Sequence, residues 1–218
     1  IQILVEPIGV GGGPEKQLLE DGVLAAKVRK AFAYSVNLTD WSRERLNSTG
    51  LVSGKQGDLF IHVVNPSLRM IIVGAVHVTQ TLAPLARMTG YDVLLVDPRD
   101  SFASQTRFPN DTFVDAWPDD ALLQIGLDAH TAVITLSHDP KIDTPALAVA
   151  LRSDAFYIGA LGSRKTHAKR VTQLRGDGFS DTEITKIHGP IGLNIGAKTP
   201  AEIAISIMAE VTERLRKP

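Results

Sequence analysis

Residues 70–100 of this chain, MIIVGAVHVTQTLAPLARMTGYDVLLVDPRD, have the pattern of a strand, a helix and a second strand. An apolar run at 70–73 meets Gly74, a helix-like segment follows, and a second apolar run at 93–96 ends on Asp97. A dinucleotide-binding turn has the spacing Gly-x-Gly-x-x-Gly, whereas this chain continues from Gly74 as Ala-Val-His-Val-Thr. The pattern therefore predicts a βαβ unit whose first glycine is present and whose other two are replaced.

The same alternation continues along the rest of the chain. Apolar runs that are not interrupted by polar residues indicate strands buried on both faces, as in a parallel sheet covered by helices. We therefore predict a doubly wound α/β fold, with a mostly parallel Rossmann-like sheet of five or six strands over residues 70–213 and its ligands beyond the carboxyl ends of the strands. The predicted strands are 70–73, 93–96, 113–116, 132–136 and 155–158, and the predicted helices are 77–89, 118–126, 144–152, 163–176 and 200–216.

The residues before this repeat have a different pattern, which predicts two domains, 1–68 and 69–218. The first is expected to be a smaller α+β domain that ends in a turn at Asn65-Pro66-Ser67. Because the chain opens on an alternating apolar segment without an initiator methionine, we expect an upstream piece. Residues 10–14, VGGGP, are either a phosphate-binding loop or a plain connection, and the plain connection is favoured because the Lys-Ser/Thr of a P-loop is absent. The predicted elements are strands at 1–8, 33–38 and 58–64 and a helix at 16–30.

Composition narrows the class of protein. The chain has 218 residues, of which 23 are Lys or Arg and 24 are Asp or Glu, so its overall charge does not favour a nucleic acid or an anionic membrane as partner. There is no cysteine, which excludes disulfides and thiolate ligands within these residues. No apolar stretch reaches the roughly 20 residues of a membrane span and no signal peptide is present, so we expect a cytoplasmic protein.

The turn at Gly74 has two interpretations. Asp97 follows at about the 20-residue distance at which a ribose-binding carboxylate belongs, which favours a nucleotide. Val76 stands at the second glycine position, where its side chain would project toward the space that a pyrophosphate needs. Either the loop binds a phosphorylated ligand other than standard NAD, or it is a packing unit that no longer binds.

Polar residues follow the fourth and fifth predicted strands. In SHDPKIDTP, His138 and Asp139 could act as a base and its orienting carboxylate or could help to hold a metal; the alternative is an Asp-Pro turn with a helix cap near Thr144. In YIGALGSRKTHAKR, two glycines precede a Ser163 cap and four cations, Arg164, Lys165, Lys169 and Arg170. Cations suit a helix amino terminus only when an anion is bound there, so this segment predicts an oxyanion site.

A third glycine-rich segment, IHGPIGLNIGAKTPAEIAISIMAEV, precedes the last predicted helix. Thr199-Pro200-Ala201-Glu202 is a capping box with proline at the first helical position. The capping box does not explain the glycine density or the polar Asn194 and Lys198, so we predict a second anion-binding loop. Because all three segments leave the sheet at its carboxyl edge, Gly159 to Arg164 and Gly189 to Lys198 are expected to meet His138 in one pocket.

These two segments, together with GYDVLLVDPR and LSHDPKIDTPAL, resemble the Rossmann-type domain of the XdhC/CoxI family, whose members are accessory proteins for molybdenum hydroxylases such as xanthine dehydrogenase. The similarity covers most of residues 70–213. It implies a maturation chaperone that binds molybdenum cofactor (molybdopterin) as cargo, supports its sulfuration and delivers it to the apo-hydroxylase. It further implies a cysteine desulfurase as a possible partner, a homodimer, and an N-terminal domain of which residues 1–68 are the later part.

Two departures from the family pattern affect these expectations. The family's cysteine-containing glycine-rich segment, which precedes the strand matched by IQILVEPI, is absent from these residues. At the first turn, Val76 replaces the second glycine of Gly-x-Gly-His while His77 is retained. We therefore expect a phosphorylated pterin rather than NAD(P), and no catalytic residue or metal ligand is assigned. The predicted cofactor-binding residues are Gly74, His77, Asp97, Arg99, His138, Asp139, Gly159, Gly162, Ser163, Arg164, Gly189, Gly192, Asn194, Gly196 and Lys198. The alternative function is an NAD(P)-dependent oxidoreductase on the same fold, although the sequence has no Tyr-x-x-x-Lys pair.

Overall fold

The computed structural model describes residues 4–6, 8–9, 13–48, 50–99 and 107–217. The chain divides into two compact units, Ile1–Ser67 and Leu68–Pro218. Two separate sheets are present among the described residues, one in each unit, which agrees with a larger Rossmann-like fold and a smaller α+β fold.

The smaller unit is a helix and an antiparallel sheet. Phe32, Tyr34 and Val36 are buried on one strand, and Leu18 and Ala25 of the helix pack against them. The strand order within the described part of this unit is β2-β1-β4-β3. Its elements are α1 (Lys16–Lys27), β1 (Phe32–Asn37), β2 (Arg43–Leu46), β3 (Gly54–Gln56) and β4 (Leu59–Val64).

The predictions for the smaller unit are confirmed in part. The helix and the strands β1 and β4 lie close to their predicted places, whereas β2 and β3 were not predicted because RERL and GKQ are short and polar. The predicted strand at 1–8 is wrong at residues 4–6 and 8–9, which are not in a strand, and its other residues lie outside the described ones. Residues 10–12 of the glycine loop also lie outside them, and residues 65–67 are irregular rather than a turn.

The larger unit is a parallel sheet with the strand order β10-β9-β8-β5-β6-β7 over its described residues. The chain adds strands outward from β5 to β7, then crosses back and places β8 on the other side of β5. The order therefore reverses between β5 and β8, which is where a doubly wound sheet binds its ligands. The elements are β5 (Arg69–Val73), α2 (His77–Met88), β6 (Asp92–Val96), β7 (Thr112–Val114), α3 (Pro118–Ile125), β8 (Thr131–Thr135), α4 (Pro140–Leu151), β9 (Tyr157–Ala160), α5 (Arg164–Gly176), α6 (Asp181–Ile184), β10 (Ile187–His188) and α7 (Pro200–Arg216).

Burial on both faces of the sheet explains why its central strands are continuously apolar. Every residue of β5 and of β8 is buried. Met70 and Ile72 belong to an apolar cluster with residues of α2 and α7, whereas Ile71 and Val73 belong to a second cluster with residues of α3 and α4. Successive side chains of one strand thus enter two cores, because side chains alternate across a sheet.

Two predicted boundaries in the larger unit are wrong. Helix α4 begins at Pro140, capped by Asp139, and not near Thr144, because Pro140 occupies the first helical position and the helix continues through Pro145. Strand β9 lies at 157–160 and not at 155–158, since Gly159 and Ala160 continue the ladder with β8. Elements α6 and β10 were not predicted, because four and two residues show no period. No helix in the described ranges is long and apolar enough to cross a membrane.

Candidate functional site

The turn after β5 brings three loops together. Gly74 has a φ of 111°, and a Cβ added to it would lie 2.7 Å from the Ser137 nitrogen and 2.9 Å from the Ser137 Cα. The amide of Gly74 donates to the Val96 carbonyl at 2.9 Å. Only a glycine fits between these backbones, so Gly74 fixes the point where the ends of β5, β6 and β8 meet.

Asp97 at the end of β6 is buried and fully engaged by the protein. It accepts a hydrogen bond from the Ala75 amide at 2.7 Å and two from the Arg99 side chain at 2.7 and 2.8 Å. Burial alone would raise the pKa of Asp97, but the bonds from Arg99 and Ala75 hold it below its ordinary value. Asp97 and Arg99 therefore tie the β6 loop to the Gly74 turn.

The rest of the first turn shows what the altered fingerprint does locally. Val76 is the N-cap of α2 and packs in part against the apolar cluster on that face of the sheet. His77, the first residue of the helix, is exposed. The structure thus uses the second glycine position for packing and leaves the retained histidine accessible.

In the loop after β8, the two predicted residues have different surroundings. Asp139 caps α4 by accepting a hydrogen bond from the Lys141 amide at 2.9 Å. His138 is exposed and has a φ of 63°, and no hydrogen bond joins it to Asp139 among the described residues. The interpretation of this pair as a base and its orienting carboxylate is therefore wrong, because the aspartate serves the helix.

The two later glycine-rich segments line one pocket of about 380 Å³. Gly162 and Arg164 form one wall, after β9 and at the start of α5, where Ser163 caps the helix by accepting from the Thr166 amide at 3.1 Å. The opposite wall is the loop between β10 and α7, which includes Gly192, Asn194 and Gly196. His138 is not among the residues that line this pocket, so the expectation of one pocket holding all three segments is wrong in that respect.

A carboxylate on α7 holds the second of these segments. Glu210 accepts hydrogen bonds from the Gly192 amide at 2.7 Å, from Tyr157 and from His188 Nδ1 at 3.1 Å. Tyr157 stacks on His188 with ring centroids 4.6 Å apart. Burial alone would raise the pKa of Glu210, but these hydrogen bonds hold it below its ordinary value. The network fixes the loop against β9 and α7, and the sequence did not indicate it.

Several of the predicted site residues instead serve packing. A Cβ on Gly159, Gly189 or Gly192 would overlap the side chain of Ile191, His167 or Ser206, respectively, so these glycines make room for neighbours. The amides of Lys198 and Thr199 donate to the Glu202 carboxylate at 2.7 and 2.9 Å. The predicted anion at the amino end of α7 is therefore replaced by the carboxylate of the protein's own Glu202.

A second pocket, of about 220 Å³, lies between α4 and α5 and is lined by His138 together with two buried charged residues, Asp143 and Arg170. Both are on helix faces that are otherwise apolar. Asp143 is next to Ile142 and one turn before Leu147, and Arg170 is one turn before Leu174. A charged residue on a buried helix face is a signal that the sequence contains and that the predicted site did not use. Within the described ranges, no group of three or more His, Cys, Asp or Glu residues could hold a metal ion.

The strand order, the reversal between β5 and β8, and pockets at the ends of the strands define a Rossmann-type ligand-binding protein. Comparison with known proteins narrows this class. Residues 70–211 match the family described as the XdhC Rossmann domain, and the chain belongs to that family.

Three curated relatives and one solved structure are similar to the chain. An uncharacterized Escherichia coli protein, YqeB, is 30% identical over 96% of the chain and 38% of its own length. The Escherichia coli molybdenum cofactor insertion chaperone PaoD is 36% identical over 67% of the chain and 40% of its own length. A Bacillus subtilis protein described as a probable component of xanthine dehydrogenase is 30% identical over 73% of the chain and 47% of its own length. The chain thus spans less than half of each of these relatives.

The solved structure is a Bacillus halodurans protein described as a xanthine dehydrogenase. It superimposes with a TM-score of 0.71 at 22% identity, covering 92% of the chain and 64% of that protein. At this identity the likeness supports the fold and not the activity.

Proposed function

We propose that this chain is the cofactor-binding part of a chaperone that inserts molybdenum cofactor into a xanthine dehydrogenase-type hydroxylase. The observation that carries the proposal is the 36% identity to a molybdenum cofactor insertion chaperone over 146 residues. These residues make up two thirds of the chain. The role proposed is to bind and to release the cofactor, without turnover by the chain's own residues.

The pocket between Gly162 and Gly196 suits the terminal phosphate of such a cofactor. Arg164 supplies a cation at the first position of α5. The first amides of a helix lack intrahelical acceptors, and Ser163 satisfies only that of Thr166. The amides of Arg164 and Lys165 therefore remain to bind an anion, and the positive end of the helix adds to their attraction.

The alternative, a nicotinamide-dependent oxidoreductase, has less support from the geometry. A ribose hydroxyl would have to compete with Arg99 and the Ala75 amide for Asp97, which already accepts from both. Val76 also stands where a pyrophosphate would need a glycine. Support for cofactor sulfuration, contact with a cysteine desulfurase and assembly as a homodimer remain parts of the proposal that rest on the family.

The proposal is tested by calorimetric titration of the protein with molybdenum cofactor released from a purified molybdoenzyme, and in parallel with NAD and NADP. We expect clear binding of the pterin cofactor and weak or no binding of the nicotinamide nucleotides. Tight NAD binding accompanied by hydride exchange with any substrate would reject the chaperone and support the oxidoreductase.

Arg164→Ala tests the phosphate position. Loss of a charge-assisted hydrogen bond should weaken cofactor binding by about 1.5 to 3 kcal/mol. The matched control is Lys165→Ala, which removes a neighbouring exposed cation that does not line this pocket and should change the affinity by less than about 0.5 kcal/mol. Equal losses in both variants would mean that only the general positive charge of α5 matters.

A further inference from the structure

The second pocket contains an unusual pair of buried charges. Asp143 and Arg170 are only 2% and 7% exposed, yet the nearest Arg170 nitrogen, Nη2, is 4.0 Å from Asp143 Oδ2. Oδ1 of Asp143 accepts from the Ser137 hydroxyl at 2.6 Å and from the Ser137 amide at 3.3 Å. Nη2 of Arg170 donates to the Leu161 carbonyl at 3.1 Å. Each residue is thus fixed in position through one of its polar atoms.

The other polar atom of each residue has no partner. Asp143 Oδ2 and Arg170 Nη1 are fully buried and make no hydrogen bond within the part of the chain that the structure describes. Buried polar atoms of native proteins are hydrogen-bonded with few exceptions, and an unsatisfied charged atom is costly. Two such atoms on one pocket therefore indicate a bound molecule that supplies the missing partners.

The size of the pocket favours a ligand over a single bridging water. A water molecule needs a cavity of only about 10 to 15 Å³. The pocket has about 220 Å³ and is also lined by His138, Thr144, Thr166 and Lys169. A ring system can therefore occupy it in contact with both buried charges.

The chemistry of the pair defines the complementary group. A phosphate or sulfate would satisfy Arg170 but would be repelled by the Asp143 carboxylate, and a cation would meet the opposite conflict. A group that carries an N–H donor beside a carbonyl acceptor satisfies both residues at once. Cyclic and primary amides have this arrangement.

We infer that the Asp143–Arg170 pocket binds a planar ring through an amide-type edge, with the ring N–H or an adjacent amine donating to Asp143 Oδ2 and the ring carbonyl accepting from Arg170 Nη1. Resting on the proposed function, the ring is the 2-amino-4-oxo pyrimidine of the pterin, and the phosphate lies in the pocket of Gly162 and Arg164. The carboxamide of a nicotinamide has the same chemistry, so it must be distinguished by experiment.

The test uses two phosphate-free ligands and the full chain. 6-Hydroxymethylpterin has an amino group at ring position 2, whereas 6-hydroxymethyllumazine has a carbonyl there, which turns a donor into an acceptor. In fluorescence titrations the protein should bind the pterin at least tenfold more tightly than the lumazine. Equal affinities, or no binding of either ligand at millimolar concentration, would overturn the inference without any variant.

Asp143→Asn sharpens the test because it keeps Oδ1 as the acceptor for Ser137 and replaces Oδ2 by an amide donor. The preference for the pterin should fall at least tenfold and turn toward the lumazine, while thermal unfolding stays cooperative. Asp177→Asn makes the same charge change at the exposed end of α5 and should leave the preference within twofold. An unchanged preference in Asp143→Asn would remove this residue from the site.

Nicotinamide mononucleotide separates this inference from the proposed function. If it binds with the same dependence on Asp143 and the pterin does not bind, the proposed function and the pterin assignment both fail. If intact molybdenum cofactor binds with dependence on Arg164 but equally well to Asp143→Asn, the proposed function stands and the present inference fails.

Discussion

At the scale of single residues, the two glycines Gly74 and Gly196 have similar backbones and different surroundings. Both have a positive φ, but a Cβ at Gly74 would meet the Ser137 backbone, whereas nothing lies within 4 Å at Gly196. Gly74→Ala should lower the free energy of unfolding by about 2 to 4 kcal/mol, because strain and a backbone clash add. Gly196→Ala should cost only about 1 kcal/mol from strain. Urea denaturation of both variants measures the difference, and equal costs would show that the Ser137 backbone moves freely.

Glu210 provides a pH-dependent prediction. Its pKa is lowered in the folded protein by hydrogen bonds from His188, Tyr157 and Gly192, so it stabilises the fold above the ordinary glutamate range, and this stabilisation is lost as the pH falls through the lowered pKa. Glu210→Gln should therefore cost about 1 to 3 kcal/mol at pH 7 and progressively less below about pH 4.5.

The control for Glu210 is Glu213→Gln on the same helix, where the carboxylate pairs with Lys217 at an exposed position. This change should alter the free energy of unfolding by less than about 0.5 kcal/mol at either pH. A Glu210→Gln penalty that stays constant from pH 7 to pH 3 would mean that the carboxylate charge does not hold the loop.

The residues of the site show where sequence reasoning succeeded. Gly162, Ser163 and Arg164 were predicted from a local pattern, a glycine followed by a cap and cations, and the structure places them together. Glu210 and Tyr157 are separated by 53 residues and meet only because α7 packs beside β9. A pattern of neighbouring letters holds no information about such a contact, so the network could not be predicted from the sequence.

At the scale of elements, the capping box of α7 is a further test. Thr199 accepts from the Glu202 amide at 3.3 Å, and removing a cap of this kind costs about 0.5 to 2 kcal/mol. Thr199→Ala should therefore destabilise the protein by about 1 kcal/mol in urea denaturation. The matched change in the helix interior, Thr212→Ala, removes a bond to the Met208 carbonyl and gains helix propensity, so it should be close to neutral. A neutral Thr199→Ala would mean that the preceding loop holds this end of α7 without the cap.

Long elements were predictable and short ones were not. Helices α2, α3, α5 and α7 end within a residue of their predicted bounds at each end, because apolar period, caps and prolines agree there. Helix α4 was placed too late because Thr144-Pro145 looks as good a start as Asp139-Pro140, and only the tertiary environment chooses between them. Strand β10 has two residues and owes its existence to pairing with β9.

At the scale of the whole molecule, each unit has a core of its own, and the two cores differ in size. The larger unit buries two apolar clusters, whereas the smaller one has Phe32, Tyr34 and Val36. Hydrogen exchange followed by mass spectrometry in rising urea should show the amides of β1 and β4 losing protection before those of β5 and β8, because sub-global opening follows local buried area. Loss of protection in both units at one urea concentration would show a single cooperative unit instead.

The ends of the larger sheet bear on how this protein meets its partners. The outermost strands, β7 and β10, have three and two residues, so they expose few unpaired backbone groups to a neighbouring chain. Short edges of this kind discourage intermolecular strand pairing, which is a common route to aggregation. A client that docks on this unit must therefore read side chains on helices and loops, and its recognition will tolerate changes in backbone register that strand addition would forbid.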